Sequence, residues 1–218
     1  MEFEDVIRAR YSVRKYSDRP VEDWKIQKIL EAARLAPTGK NKQCQRICVL
    51  RSPEAVKRIS DLCVMIFGAP AVMLVFAKKG ESWMNRFTGR DIAETDTSIV
   101  TDHMMLQATA LGLGTCWAGC FDPGPICEAF GIPDDLALMH ILPLGYAAEG
   151  CEPGRSISKG RRRRSSPLSC NRFLERTTSR RTSSWETPAR SDALAMSSCS
   201  GFHFVIPQPS DILTLTSP

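Results

Sequence analysis

The sequence predicts a layered domain of intermixed helices and strands over residues 1–153. Residues 22–35 carry apolar side chains at helical spacing and are flanked by a proline on each side. Residues 70–77 form a short apolar run, which is typical of a buried strand. Residues 92–111 form a longer helical segment that ends at glycine. Elements of both kinds in one stretch of chain indicate helices packed in layers against a sheet.

The other elements of this region are shorter and lie between or after these three. Gly112 and Gly114 follow the long helix, and both are expected to take the positive φ that ends helices. In chain order, the remaining elements are a strand at 46–50, a helix at 54–63, a polar and aromatic loop at 82–90, an extended segment at 115–121, a helix at 125–130 and a strand at 137–144.

Residues 154–218 have a different composition, rich in Ser, Arg, Pro and Thr, without helical or strand periodicity. Such a segment buries too little apolar surface to offset its ordering entropy, so we predict a disordered tail. From Cys151 onward the chain has eleven basic and five acidic residues, whereas the preceding part has eighteen and nineteen. We interpret the tail as a stretch read out of frame. The less favoured alternative is a genuine extension whose arginine run, at 161–164, binds nucleic acid.

The N-terminus carries acidic residues where a signal peptide needs a basic start, and the longest apolar run is too short for a bilayer. The sequence therefore predicts a cytoplasmic protein with no membrane partner. The nine cysteines include no CxxC pair. Without an export signal they are interpreted as buried thiols, and no metal site is predicted.

Arg10, Ser12 and Arg14 alternate in a basic stretch that we call the arginine segment, residues 10–16. In an extended backbone these three side chains would point the same way. Two guanidiniums and a hydroxyl offer the charge-assisted and compact donors that suit a phosphate group. A solvated basic stretch before a helix is the alternative, and this segment alone leaves both interpretations open.

Two further segments have the composition of a ligand site. The polar turn, residues 36–43, contains Thr38, Asn41 and Gln43, whose amide and hydroxyl groups can pair with the edge of a heterocycle or a polyol chain. The glycine segment, residues 112–119, has small residues on both sides of a tryptophan and lets a backbone approach a flat ligand closely. Taken singly, an ordinary turn and a helix C-cap are the commoner interpretations.

In this order and spacing the three segments resemble the nitroreductase family of FMN-binding oxidoreductases. Its pattern is matched by the RxSxR start, the AP(S/T)xxNxQ turn and the LGLGTCWxG segment. The GAP, GIP and LPLGY motifs also agree, at residues 68–70, 131–133 and 142–146. The resemblance covers residues 3–153. It is specific because several motifs agree in order, although each would be weak alone.

The resemblance implies an α+β fold, with a central, mostly antiparallel sheet wrapped by helices. It also implies an intertwined homodimer with two FMN sites, each drawing on both chains. Arg10 and Ser12 would hold the phosphate and ribityl end, and Arg14 would favour the reduced anionic flavin. The residues implied to bind FMN are Arg10, Tyr11, Ser12, Arg14, Thr38, Asn41, Gln43, Ala118 and Gly119.

The implied reaction passes hydride from NAD(P)H to the flavin and then electrons to a nitroaromatic, quinone or similar small acceptor. No side chain is predicted to act as acid, base or nucleophile, because the flavin carries the chemistry. Trp83 and Phe87 are candidates for lining the acceptor pocket, with packing against the partner chain as the favoured alternative. His103 and His140 are expected to be structural.

The chain departs from the family after residue 153, where members have a short basic segment, a run like PLEE and an arm around the partner. Two other functions therefore stay open at this point. One is a specialised relative that consumes flavin or removes halogen. The other is a flavin-binding or nucleic-acid-binding protein without turnover.

Overall fold

A computed structural model of the chain describes residues 1–152 and 212–214. Two single 3₁₀ turns, Gly39–Asn41 and Val64–Ile66, accompany the longer elements. The helices and strands of the described residues are α1 (Phe3–Ala9), α2 (Asp23–Leu35), β1 (Gln45–Leu50), α3 (Pro53–Leu62), β2 (Ala71–Lys78), α4 (Ala93–Ala110), β3 (Gly114–Thr115), α5 (Pro123–Ala129), β4 (Leu136–Gly145) and β5 (Ile212–Thr214).

The strands form one sheet in the order β3-β4-β2-β1-β5. The first four pair antiparallel, which confirms the mostly antiparallel sheet. The strand β5 pairs parallel with β1, with Ile47 opposite Ile212 and Val49 opposite Thr214. The sequence predicts disorder for the whole tail, but these three residues form a strand. The reason is that an open sheet edge offers backbone donors and acceptors to any extended segment. The rest of the predicted tail lies outside the described residues.

The side chains of β2 alternate between two apolar cores, one on each face of the sheet. Met73 and Val75 pack with the buried faces of α2 and α4. Leu74 and Phe76 pack with residues of α3 and α5 on the opposite face. This alternation follows from the two-residue period of a strand. It explains why β2 is apolar from Ala71 to Ala77, and it confirms a sheet covered by helices on both faces.

Two helices begin where the sequence supplies a capping side chain. The hydroxyl of Ser52 accepts a hydrogen bond from the Ala55 N–H at the start of α3, and Pro53 takes the first helical position. Asp122 caps α5 in the same way by accepting from the Gly124 N–H. The predicted boundaries of these helices differ from the observed ones by only one or two residues.

The helix α1 was not expected, and the predicted extended segment at 115–121 is mostly absent. Only Val6 of α1 is buried, while Phe3 and Ile7 are exposed, so no inward-facing apolar stripe marks the helix in the sequence. Beyond β3, the pairing with β4 continues through the Cys116 N–H, which bonds to the Pro143 carbonyl at 3.3 Å, and through an isolated bridge at Ala118.

The helices α2 and α4 pack side by side in opposite directions. Near the start of α2, the Lys25 ammonium donates to the Leu111 carbonyl just after the end of α4, at 2.8 Å. Just after the end of α2, the Gly39 N–H donates to the carboxylate of Asp96 in the first turns of α4, at 2.9 Å. The polar turn therefore lies at the start of α4, and the glycine segment follows its end.

Within the described residues, no helix is long and apolar enough to cross a bilayer. The same residues contain no group of three or more His, Cys, Asp or Glu side chains placed to hold a metal ion. Of the cysteines, Cys120 is exposed, so the expectation of buried thiols is wrong at that position.

Candidate functional site

The arginine segment starts where α1 ends. The N–H of Arg10 bonds to the Val6 carbonyl at 3.0 Å, and the backbone of Arg10 is already extended. The chain continues to Tyr16, whose isolated bridge to Ala147 pairs it with the second residue after β4. The extended backbone that the alternation of residues requires is therefore present.

This segment lies directly against the glycine segment. The Val13 N–H donates to the Thr115 carbonyl at 2.9 Å, and Ser12 bridges the same residue. Burial raises the pKa of the Cys116 thiol, while the nearby charge of Arg14 and a hydrogen bond with Ser12 act in the opposite direction. Cys116 thus marks the point where the two segments meet.

The guanidiniums of Arg10 and Arg14 have no carboxylate partner within the described part of the chain. Arg14 is exposed and reaches only the Ser12 carbonyl, at 3.5 Å. Arg8, two residues before Arg10, is paired with Glu4 at 3.3 Å. With the exposed Lys15, the segment therefore presents three positive charges that no acidic residue of the described chain neutralises.

Tyr11, in the same segment, has a side chain that is bonded to a distant part of the chain. Its hydroxyl donates to the Cys151 carbonyl at 3.0 Å, across 140 residues of sequence. Burial raises the pKa of this phenol, so it stays protonated and keeps its donor at neutral pH. This bond ties the Tyr11 side chain to the backbone at residue 151. A contact of Tyr11 with a ligand would therefore come from its backbone.

The two glycines at the start of the glycine segment have different roles. Gly112 has φ +75° and ends α4, with the Leu113 N–H bonded to the Ala108 carbonyl at 2.9 Å. The expected positive φ at Gly114 is wrong, since Gly114 is not among the residues with that conformation. Its small size is needed instead because a Cβ there would meet the side chain of Val13.

Ala118 and Gly119 also differ from each other. The Ala118 N–H donates to the Ile141 carbonyl of β4 at 2.9 Å, and the residue is buried. Gly119 is exposed, with nothing within 4 Å of the place a Cβ would take. Gly119 is therefore the better placed of the two for approach by a flat ligand.

The polar turn uses most of its hydrogen-bonding groups internally. The hydroxyl of Thr38 accepts from the Gln43 N–H at 3.1 Å, and the Gln43 side chain reaches the Arg34 carbonyl at 3.5 Å. Asn41 is exposed, and no hydrogen bond to its side chain occurs among the described residues. Of the three predicted contacts, Asn41 is the one whose amide is left for a ligand.

The structure brings the arginine and glycine segments together but places the polar turn elsewhere in the same chain. The turn is bonded to Asp96, whereas the glycine segment begins beyond Ala108. Twelve residues of helix separate these two anchor points, which is about 18 Å along α4. Sequence order alone does not distinguish this arrangement from one in which all three segments touch.

The aromatic loop, residues 82–90, lies beside the polar turn. A bridge from Met84 to Asp91 closes the loop, and the Asn85 side chain accepts backbone bonds within it. Trp83 is half-buried, with its Cβ 3.0 Å from the place a Cβ on Gly39 would take. Phe87 is 82% exposed, so the two candidate pocket residues have very different surroundings.

His140 is a buried polar residue on β4 that contacts the glycine segment. Its ring meets the edge of Trp117, with centroids 4.8 Å apart. Its Nε2 lies 3.3 Å from the Thr97 hydroxyl and 3.2 Å from that of Ser98. Both hydroxyls already donate to helix carbonyls, so Nε2 carries the proton and donates to them. The expectation of a structural role agrees with these contacts, and His103 likewise bonds only its own helix, at Ile99.

A bulge in β4 aims His140 at α4. In the pairing with β2, Val75 lies opposite His140 and Phe76 opposite Leu138, so Met139 is an extra residue. Leu138 and His140 therefore face opposite sides of the sheet, although residues two apart normally share a side. The alternation of apolar residues alone does not reveal the bulge.

His140 is expected to make stability depend on pH. Burial lowers the pKa of this imidazole below its ordinary value of 6.5. As pH falls through that value, the unfolded chain takes up a proton that the folded chain resists, so the free energy of unfolding should fall. Urea unfolding at pH 7.5 and 5.5 should show a smaller loss for His140→Gln than for the parent. An equal loss in both would contradict the buried neutral imidazole.

A family model described as the Nitroreductase family matches residues 7–67 and 63–146 of the chain. The crystal structure of a nitroreductase family protein from Clostridium difficile 630 is 43% identical, with a TM-score of 0.70, and the match covers 78% of this chain and 95% of that one. An FMN-dependent nitroreductase from Clostridium difficile R20291 is 26% identical, with a TM-score of 0.63, over 74% of this chain and 96% of that one.

An Archaeoglobus fulgidus protein, named provisionally as an NADH dehydrogenase/NAD(P)H nitroreductase, is 32% identical over 148 residues, which is 65% of this chain and 83% of that protein. The sheet and the helices on both its faces agree with these matches. The chain belongs to the Nitroreductase family, whose members are generally FMN-dependent oxidoreductases.

Proposed function

We propose that the chain is an FMN-dependent oxidoreductase that takes electrons from NAD(P)H and passes them to a nitroaromatic, a quinone or a similar small acceptor. The observation that carries the proposal is the contact of the arginine and glycine segments around Cys116. In that contact Arg14 lies near Cys116, and neither Arg10 nor Arg14 has a carboxylate partner among the described residues. Gly119 of the glycine segment is exposed. The names of the relatives point to the same cofactor and electron donor.

The residues present fit FMN. A phosphate dianion needs cationic and hydroxyl donors, which Arg10, Arg14 and Ser12 supply. The buried hydroxyl oxygen of Thr115, next to Ser12, has no hydrogen-bond partner within the described residues. A buried polar atom of this kind calls for an explanation, and a ligand or its bound water at this site provides one.

When bound, FMN would supply the hydride and electron transfer, and the protein would supply binding and orientation. Arg10 and Ser12 would hold the phosphate, and Arg14 would place positive charge where a reduced, anionic ring is stabilised. Gly119 would let the backbone approach the flat ring, and Asn41 would pair with polar atoms of the flavin. No side chain of the described chain is needed as an acid or base.

The proposed assembly is a homodimer with FMN between the chains. In one chain the polar turn lies about 18 Å along α4 from the end that leads into the glycine segment. The turn of one chain is therefore proposed to serve the flavin held by the arginine segment of its partner. The exposed Phe3 and Ile7 of α1 and the half-buried Met105 and Leu106 of α4 supply apolar surface for such an interface.

The deciding experiment is the absorption spectrum of the purified protein, followed by anaerobic addition of NADH or NADPH. We expect flavin bands that bleach with at least one of the two nucleotides and recover when an acceptor is added. Colourless protein that takes up no added FMN would overturn the proposal. Bound flavin that neither nucleotide reduces would favour the binding protein without turnover.

Replacing Phe87 with alanine is expected to change the KM for the acceptor and to leave flavin reduction by NAD(P)H unchanged. Phe87 is exposed at the tip of the aromatic loop, where its ring can stack on a flat substrate. Trp83→Ala should affect both half-reactions, since Trp83 packs against the polar turn. Stopped-flow measurement of each half-reaction separates these effects.

The matched control is Trp24→Ala, which removes an aromatic side chain that is 57% exposed on α2. It should change neither half-reaction. Equal changes in both half-reactions for Phe87→Ala would make Phe87 a packing residue.

A further inference from the structure

Asp96 is an acidic residue buried in the body of the protein, and only 1% of its surface is exposed. One carboxylate oxygen, Oδ1, accepts the Gly39 N–H at 2.9 Å. The other, Oδ2, is buried and has no hydrogen-bond partner in the described part of the chain. Burying a carboxylate with an unused oxygen costs free energy, so this residue requires a specific explanation.

The first turn of α4 makes the burial of Asp96 less costly. Glu94 and Asp96 both lie there, where the positive end of the helix dipole favours negative charge. The nearby Cys44 does not neutralise the carboxylate. Burial raises the pKa of that thiol, and the charge of Asp96 raises it further, so Cys44 stays an uncharged thiol and supplies no positive charge.

The turn that Asp96 contacts has an unusual backbone. Lys40, Asn41 and Gln43 have φ of 50°, 53° and 48°, in the left-handed region that residues other than glycine seldom adopt. Three such residues in a row of four store strain, which persists only where surrounding contacts hold it. Apart from the Asp96 bond, the hydrogen bond that links the turn to a helix is the 3.5 Å contact from Gln43 to Arg34.

Gly39 is seated so that its N–H reaches Asp96. A Cβ at Gly39 would meet the Ile92 side chain and would lie 3.0 Å from the Cβ of Trp83. The backbone is therefore pressed into a niche between α4 and the aromatic loop. In that niche the Asp96 carboxylate is the polar group that accepts the hydrogen bond from the turn.

We propose that Asp96 is the positioning residue of the polar turn. Its carboxylate holds Gly39 and so keeps the strained backbone that presents the Asn41 amide to the flavin. The effect on flavin rests on the proposed function, whereas the bond to Gly39 does not. Asp96 acts only through the turn and touches no reacting atom.

The test combines hydrogen exchange at the Gly39 amide in flavin-free protein with titration of FMN. Asp96→Ala should speed exchange at Gly39 by about tenfold or more, because the acceptor is lost. It should raise the dissociation constant for FMN by about tenfold. Asp96→Asn keeps an acceptor oxygen at the same place and should stay within about threefold of the parent in both measurements.

Thr101→Ala is the matched control, since Thr101 is a fully buried polar residue of α4 that bonds only its own helix. It should lower thermal stability while leaving Gly39 exchange and FMN affinity as in the parent. If the alanine variant does not fold, Asp96→Ser replaces it in the test, because the serine side chain is too short to reach Gly39. It should speed Gly39 exchange as well.

Unchanged Gly39 exchange in Asp96→Ala or Asp96→Ser would overturn the positioning role. The same loss in Asp96→Asn as in Asp96→Ala would also overturn it, because the acceptor would then not be what matters. If the parent takes up no FMN, the proposed function fails, but Gly39 exchange still decides the role of Asp96.

Discussion

Replacing Arg10 with alanine is expected to raise the dissociation constant for FMN by about 10- to 100-fold. A charge-assisted hydrogen bond to phosphate contributes about 1.5–3 kcal/mol, and about 1.4 kcal/mol corresponds to a factor of ten in affinity. Arg10 is half-buried and has no carboxylate partner in the described chain, so its loss removes a contact to the ligand and leaves no acid unpaired. Titration of flavin-free protein by fluorescence measures the effect.

Arg8→Ala provides the control because it removes the same charge two residues away. Arg8 is exposed on α1 and already paired with Glu4. An exposed pair of this kind contributes little, so FMN affinity should change by no more than about twofold. Equal losses in the two variants would mean that the general positive field of the segment attracts FMN, and the placement of phosphate at Arg10 would then be wrong.

The substitution Gly114→Ala is expected to lower the free energy of unfolding by about 1–3 kcal/mol and to weaken FMN binding with it. A Cβ at Gly114 would meet the side chain of Val13, which is buried between Ser12 and Arg14. Relief of that overlap requires the arginine segment to shift away from the glycine segment. Urea unfolding of flavin-free protein and FMN titration measure the two consequences.

A double-mutant cycle tests this cause. In Gly114→Ala combined with Val13→Ala, the shortened side chain makes room for the new methyl group. The double variant should therefore be more stable than the sum of the single effects by at least about 1 kcal/mol. Gly124→Ala is the control, because a Cβ there has only the Asp122 carboxylate nearby, at 3.4 Å. Additive effects at Gly114 and Val13 would show that the two segments do not depend on this contact.

The elements that can be predicted from sequence are those whose apolar pattern repeats over their whole length. In α2 the four residues with helical spacing, which include Ile26 and Ala33, are all buried in the structure. The uninterrupted apolar run of β2 reports burial on both faces of the sheet. The helix α1 lacks such a pattern because it covers the core with Val6 alone. A periodic apolar pattern arises from burial, so an element that buries few side chains cannot be recognised from its sequence.

For the candidate site, too, the sequence shows one part and the tertiary structure another. The sequence contains the arginine, polar and glycine segments with their donors, and their order and spacing together carry the resemblance that implies FMN. Which segments touch depends on the sheet and on α4, which join Ser12 to Cys116 and separate both from Asn41. The contact between Asp96 and Gly39 spans 57 residues of sequence, and no motif marks it.

What the sequence determined by itself was the class of fold and the family. The fold class follows from local patterns of apolar residues, and the family follows from several motifs that agree in order. Only the tertiary structure decided that Gly114 is needed for its size, that the Thr38 hydroxyl bonds within its own turn and that the Gln43 side chain bonds Arg34 of α2. It also turned His140 towards α4, through a bulge at Met139. Each of these depends on contacts between distant parts of the chain, and a one-residue change of register reverses the face of every later side chain in a strand.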